Sequence, residues 1–518
     1  MRLKHLLTVQ FVPVVILLVA YPLLLGFFRG LEDGLQGIFT FFLVVASLLL
    51  PVVCCINRSE RGCELNYDFF QPGVIVAVFY YLYIVMPGIH IWYNLDYVSN
   101  WIQVPVVRQD VMVNYTFMVA ILAMACFGLG YRSKVAYAFA LKKLKRVMDR
   151  SKGIKFPNDR FIKRVIFFLI IVGVLGRLYI ISIVGGTGYS IKYLSPSMRS
   201  ELDIRISGIL VLVASCLDWG ALLLLFRYII TRKLKHITVF IVFLAMVSVF
   251  FLSGKRSDVL PFLFFPVVWY HYLRNRIGFR RGLLYLVCGF FIMASLLFVR
   301  ILGPLYSRAL LGDITAIGEI IAKPFYFYFN SPELAVFDIT MVSIMEQSYI
   351  LGEIGGWLSG ILEYNFSSIL FLIPRFIWES KPVFTDLGQV MYQLFISNTG
   401  NAGFAVGIFA GLYVFGGLIG VVAGMTFLGV ALRFIYVKFS PWRGDPTMVF
   451  LYPIVLWLIF QFCRFGTMGF TIMFFIQKLL VGTAVAFLWL YVRRHYSFRN
   501  RGRTNVGFMQ RTDENVLK

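Results

Sequence analysis

The sequence predicts an all-α fold: a polytopic membrane bundle of about twelve spanning helices, interrupted once by a long stretch of mixed polarity. Three observations predict it. Mean hydropathy is +0.80, and 59% of residues are hydrophobic against 14% charged, a balance that excludes an ordinary soluble enzyme. Apolar runs near the 20 residues needed to cross a hydrocarbon core recur along the chain. The charge is also uneven. Residues 131–164 carry twelve Lys/Arg against two acids, whereas residues 305–405 carry only Arg308, Lys323, Arg375 and Lys381 against nine acids. The net charge of +24 is therefore read as positive-inside asymmetry rather than a nucleic-acid surface.

The candidate spans lie at about 6–28, 36–56, 73–93, 112–130, 165–184, 208–230, 237–253, 258–273, 282–303, 406–436, 447–463 and 470–492. If Arg2 and Lys4 are cytoplasmic, alternation places 57–72, 131–164, 231–236, 274–281 and 437–446 inside, and four of these are basic. The even count returns the tail, basic from Arg493 to Arg511, to the same side. The first apolar run has no small-residue cleavage site before Arg29, so it is read as a retained helix. The division is then an N-terminal bundle over 1–304 with about nine helices, an extracytoplasmic loop over 305–405, about three helices over 406–492, and a basic cytoplasmic tail over 493–518.

The stretch 305–405 is the expected working part. Leu310, Ile314, Ile317 and Ile321 follow a 4-3-4 spacing, and Ile350, Ile354, Trp357 and Ile361 repeat it. Both read as amphipathic helices lying on the bilayer or capping the bundle. Ser368–Trp378 is apolar around Pro374, where a helix breaks. The glycines at 352, 355, 356 and 360 are read as small-residue packing. With no Cys or His in this stretch, it holds no disulfide, thiol nucleophile or histidine metal site. No phosphate-cradling glycine loop occurs on the inner side.

An ionisable group at membrane depth costs at least about 2.5–3.5 kcal/mol and is a functional candidate. Arg177, Arg256, Arg300 and Arg464 fall at or near the outer ends of spans, and Arg375 and Lys381 fall in the long loop. Arginine's planar fork matches phosphate oxygens, and its charge does not titrate away. These six are the candidate diphosphate- or substrate-binding residues. Asp218, alone in its span, is expected to pair with one of these cations. For a base, Asp338 and Glu346 are the candidates among the nine acids, because an apolar context such as Ala335-Val-Phe-Asp338-Ile raises a carboxyl pKa.

The turn Ser253-Gly254-Lys255-Arg256-Ser257, the segment Ile373-Pro374-Arg375…Trp378…Lys381-Pro382, and the glycine-rich run Gly400-Asn401-Ala402-Gly403-Phe404…Gly411…Phe415-Gly416-Gly417 resemble the Wzy-type O-antigen and capsule repeat-unit polymerases of bacteria. The resemblance covers roughly 250–420 in motifs and the whole chain in topology. It implies a GT-C-like, metal-independent membrane glycosyltransferase at the outer face of the cytoplasmic (inner) membrane. Such an enzyme moves the growing glycan from undecaprenyl diphosphate to the next lipid-linked oligosaccharide repeat unit. It needs no cofactor, and its implied partners are that lipid-linked substrate, the bilayer and a chain-length regulator of the polysaccharide co-polymerase type. Arg256 and Arg375 fall on the motif positions. The alternatives are an O-antigen ligase, which the family expectation gives a loop histidine this chain lacks, and a lipid-oligosaccharide flippase.

Overall fold

The computed structural model describes residues 34–55, 68–93, 109–133, 135, 159–184, 208–231, 240–245, 256–278, 281–282, 285, 335–366, 378, 387–395, 405–439, 441, 445–489 and 491. Every regular element among them is helical. In chain order these are α1 (Gly34–Cys55), α2 (Pro72–Tyr80, a wide turn Tyr81–Val85, then Met86–Tyr93), α3 (Gln109–Tyr131), α4 (Asp159–Val184), α5 (Gly208–Thr231) and α6 (Arg256–Leu273). Four short helices follow: α7 (Val336–Met345), α8 (Gln347–Glu353), α9 (Trp357–Phe366) and α10 (Leu387–Phe395). The last are α11 (Ile408–Phe439), α12 (Pro446–Phe465) and α13, which runs through Met468–Phe474, a second wide turn Phe475–Leu479, and Leu480–Trp489.

Seven of these (α1 to α5, α11 and α12) are long and apolar enough to cross a membrane, and Val259–Leu273, Val336–Met345 and Leu480–Trp489 are shorter apolar helices. The spans expected at 6–28 and 282–303 lie outside the described residues, apart from Gly282 and Tyr285; that at 237–253 is described only over 240–245. The wide turn in α2 ends two residues before Pro87. A proline cannot donate to the carbonyl one turn back, and an enlarged turn absorbs that loss.

The helices form two sub-bundles that share α12. In the first, Phe79, Tyr80, Phe117, Phe127, Phe337 and Phe409 fill the space between α2, α3, α7 and α11. In the second, Trp219, Phe226, Phe265, Trp269 and Trp489 pack α5, α6 and α13 together, with α4 alongside. From α12, Tyr452, Leu456 and Cys463 face the first, while Phe450, Ile454 and Trp457 face the second. Glycine brings two helix pairs to backbone contact. A Cβ on Gly130 of α3 would lie 2.1 Å from the Thr426 carbonyl oxygen of α11, and one on Gly173 of α4 would lie 2.0 Å from the Leu217 nitrogen of α5. The exposed surface is apolar, with Phe167, Phe168, Leu175 and Leu178 on α4 and Ile419 and Phe427 on α11, as a lipid-facing surface requires.

One end of the bundle is closed by a buried carboxylate. Asp68 is 3% exposed and lies just before α2. Its oxygens accept hydrogen bonds from the Tyr272 hydroxyl (2.6 Å), the Tyr436 hydroxyl (2.5 Å) and the Phe70 N–H (3.0 Å). His271 Nε2 stands 3.3 Å away. The Ile277 N–H donates to His271 Nδ1 at 2.9 Å, so the ring proton belongs on Nε2, facing the carboxylate. The Tyr452 hydroxyl donates to the Phe70 carbonyl at 2.7 Å. The group thus ties the start of α2 and of α12 to the last turns of α6 and α11. Nearby, the Arg274 guanidinium caps α5 by donating to the Ile229 and Ile230 carbonyls.

At the opposite end the Gln36 amide of α1 donates to Asp110 of α3, Thr40 donates to Asn114 at 2.6 Å, and the Gly407 N–H donates to the Arg464 carbonyl at 2.8 Å. The starts of α1, α3 and α11 thus lie at the same end as the close of α12. This second end carries α7 to α10, a cap with its own core of Ile339, Val342, Ile350, Leu387, Met391 and Val414. The 4-3-4 stripe from Ile350 to Ile361 is not one helical face. Gly355 and Gly356 take φ of 73° and 95°, ending α8 and turning the chain, so Ile350 and Ile354 are buried while Trp357 is 59% exposed. Of the four glycines read as packing residues, Gly360 does pack, against Ile354 and Phe415; Gly355 and Gly356 make a turn instead, and a Cβ on Gly352 would meet open space. The Leu310–Ile321 stripe lies outside the described residues.

Burial pushes the Asp68 carboxyl up, but its hydrogen-bonding contacts with His271, Tyr272 and Tyr436 outweigh it and hold it below the ordinary 3.8. A depressed carboxylate stabilises the fold above the unfolded-state value, and that contribution fades as pH falls through the folded one. Asp68→Ala strands the surrounding donors and is expected to cost about 3–5 kcal/mol. Thermal unfolding of the solubilised protein at pH 7 measures the loss, which shrinks toward pH 3.

Candidate functional site

The cap positions a carboxyl deep in the molecule. Helix α7 has ten residues, about 15 Å, too short to cross a bilayer, and seven of them are buried. Phe337 packs on Phe117 at 5.0 Å, over Gly88, where a Cβ would come within 2.6 Å of its ring. Gly407, with φ of 80°, admits Val336 so closely that a Cβ there would lie 2.3 Å from it. Between these contacts and the cap core sits Asp338, enclosed by the bundle yet only half-buried. Burial pushes its carboxyl up to about 7, against the opposing effect of a backbone hydrogen bond. Asp338 lies on α7, and Glu346 is the half-buried hinge between α7 and α8.

The cap is also built into a spanning helix. Gly417 breaks α11 with φ 57° and ψ −150°, a conformation open essentially to glycine. Such a break strips carbonyls one turn back of their helical donors. The side-chain amide of Gln347 on α8 supplies the replacement, donating to the Tyr413 carbonyl at 2.8 Å and the Val414 carbonyl at 3.2 Å.

The cations group in the second sub-bundle. Arg177 on α4 is 6% exposed, pairs with Asp218 on α5, and donates to the Ala245 carbonyl at 3.4 Å. Asp218 thus has the cross-helix partner its isolation implied. Trp219 beside it donates from Nε1 to the Lys478 carbonyl at 2.6 Å. On α6 and α12, Phe264 and Trp457 meet at 6.2 Å between ring centres. Arg256 lies eight residues from Phe264 toward the cap, and Arg464 seven residues from Trp457. At 1.5 Å per residue these are about 12 and 10 Å, so the two backbones reach the same level. Trp219 touches Phe265 at 5.9 Å, which sets the Arg177–Asp218 pair about 13 Å deeper than Arg256.

The two constellations meet at one joint. Arg464, half-buried, gives its carbonyl to the N–H of Gly407, and Gly407 is packed on Val336, two residues from Asp338. Gly466 closes α12 with φ 71°, and a Cβ on Gly411 would stand 2.5 Å from its carbonyl oxygen. The structure therefore brings the elements of Asp338, Arg256 and Arg464 to one end of the bundle, with Arg177 deeper. Arg300, Arg375 and Lys381 lie outside the described residues. Among the described residues no three His, Cys, Asp or Glu side chains gather to hold a metal ion. No family model, characterised protein or solved structure matches this chain.

Chemically, a carboxyl titrating near neutrality exchanges protons at ambient pH, and arginines at a rim stabilise negative charge. Sequence reading missed Gln347 and Gln461. Gln461 was visible as a single amide in an apolar run, the signal that had picked out Asp218, whereas Gln347 lies between Glu346 and Ser348 and carries no such signal.

Removing one partner of a buried pair leaves an uncompensated charge. Asp218→Ala is expected to destabilise by about 3–5 kcal/mol, and adding Arg177→Met should recover most of it. Denaturation of each single variant and of the double gives the coupling.

Proposed function

We propose that this chain polymerises lipid-linked oligosaccharide repeat units, as a metal-independent membrane glycosyltransferase of the bacterial cytoplasmic membrane. The cap end is extracytoplasmic, the termini are cytoplasmic, and the donor is glycan on undecaprenyl diphosphate. The observation that carries this reading is the joint at Gly407: a carboxyl raised to about 7 on α7 lies two residues from Val336, which packs on Gly407, and the Gly407 N–H donates to the Arg464 carbonyl. In the reaction, Asp338 takes the proton of the acceptor hydroxyl as that oxygen attacks the anomeric carbon. The bond from that carbon to the diphosphate oxygen breaks, and the diphosphate leaves with the bonding pair. Arg256 and Arg464 meet its charge, joined by Arg375 from the motif resemblance. Preorganised cations in a dry site are effective there because water no longer screens them.

A second reading has its own support. A broken spanning helix is a feature of transporters, so the interruption of α11 at Gly417 favours a lipid-oligosaccharide flippase. Glycan profiles separate the two. Loss of a polymerase leaves single repeats attached to their final acceptor, whereas loss of a flippase accumulates single lipid-linked repeats on the inner leaflet.

Arg256→Ala and Arg464→Ala are each expected to abolish long-chain polysaccharide at unchanged membrane abundance, and Lys at either position is expected to fail too, because a point charge lacks the bidentate fork. Asp338→Asn is expected to lower turnover by about 10²–10⁴-fold. Because the base acts ionised, wild-type turnover should rise as pH increases through about 7. Normal chain lengths in all three variants would refute the assignment.

A further inference from the structure

Gln461 is fully buried in α12, at 0% exposure, and among the described residues neither its amide nitrogen nor its amide oxygen has a hydrogen-bond partner. The indole nitrogen of Trp457, one turn away and 4% exposed, has none either. Positions 457, 461 and 464 share one helical face, so these groups lead along α12 to Arg464 at the cap end. A buried polar group without a partner forfeits its hydration and gains nothing in return. Two such residues on one stripe, running toward a cation, mark a place where the fold gives up stability for a ligand.

We propose that Gln461 and Trp457 hydrogen-bond the headgroup of a prenyl-diphosphate-linked sugar whose diphosphate is held at Arg464, an inference that rests on the reading above. The donor pattern selects the chemistry. Indole N–H, amide NH₂ and guanidinium supply donors, and the amide oxygen is the single acceptor. The complement is a group with several acceptor oxygens and one donor, as in a phosphate bearing a hydroxylated ring. Trp457 also stacks on Phe460 at 5.4 Å and 21°, which holds the indole rigidly. The polar atoms of Gln461 and Trp457 are shut off from solvent in this conformation, so the ligand reaches them as the cap-side ends of α6, α12 and α13 part.

The test uses the purified full-length protein in detergent, with farnesyl diphosphate as probe and farnesol and inorganic diphosphate as comparisons. Gln461→Leu fills the same space without the orphaned amide. It is expected to raise the ligand-free Tm while weakening farnesyl diphosphate about tenfold, the worth of one hydrogen bond to an ionised group. Trp457→Phe should shift both quantities the same way and less. A lower Tm with unchanged affinity in Gln461→Leu would mean that the amide serves packing alone, and overturns the inference. Equal affinity for inorganic and farnesyl diphosphate would overturn the lipid-linked assignment. Arg464→Ala separates this inference from the one beneath it. If Arg464→Ala loses farnesyl diphosphate and Gln461→Leu keeps it, only the Gln461 role fails; if Arg464→Ala keeps it, the diphosphate site itself fails.

Discussion

The four-donor shell around Asp68 is the constraint on which the rest of the bundle depends. In lipid the apolar faces of helices gain little from meeting one another, because the surrounding chains are equally apolar. Alignment must come from close packing and from polar contacts that have no good alternative. Asp68 is such a contact: it lies between two helix starts and two helix ends, and its donors come from α6 (His271 and Tyr272), from α11 (Tyr436) and from its own turn (Phe70). With that end fixed, the register of α6, α11 and α12 is fixed along their length. The common level of Arg256 and Arg464 at the other end follows from it.

Much of this was legible beforehand. Hydropathy and charge parity gave spans whose directions agree with the contacts at both ends, and a lone carboxylate at Asp218 implied its partner. Within the 305–405 stretch, the described residues depart from the expected helical face. Periodicity treats a run as one helix, whereas Gly355 and Gly356 sit in left-handed conformations that turn the chain between Ile354 and Trp357. The Gln347 contact to Tyr413 and Val414 joins residues 66 and 67 positions apart, beyond the reach of any local pattern. Asp68 was missed for a related reason. In sequence it belongs to a mixed loop, and only folding shows that its donors are Tyr272, Tyr436 and His271.

The candidate site departs from local stability in three places at the same end: a carboxyl raised by burial on α7, a spanning helix broken at Gly417, and an unpartnered amide on α12. The rest of the described bundle is conventionally packed aromatic and aliphatic core. Departures of this kind persist where surrounding structure compels them. Their concentration around Gly407 and Arg464 sets this end apart from the tyrosine-lined one, where the Tyr272 and Tyr436 hydroxyls and the Phe70 N–H converge on Asp68.

The glycine contacts have a mechanical meaning. Backbone touching backbone at Gly130 with Thr426 and at Gly173 with Leu217 leaves no compressible side-chain layer between α3 and α11 or between α4 and α5. Each pair behaves as a plank. Closer approach within either pair is blocked by backbone, whereas α12 meets both cores through side chains, which can repack. A helix in that position acts as an axle, and the groups mounted on its cap-side turn, Arg464 and Gln461, move whenever one plank rocks against the other.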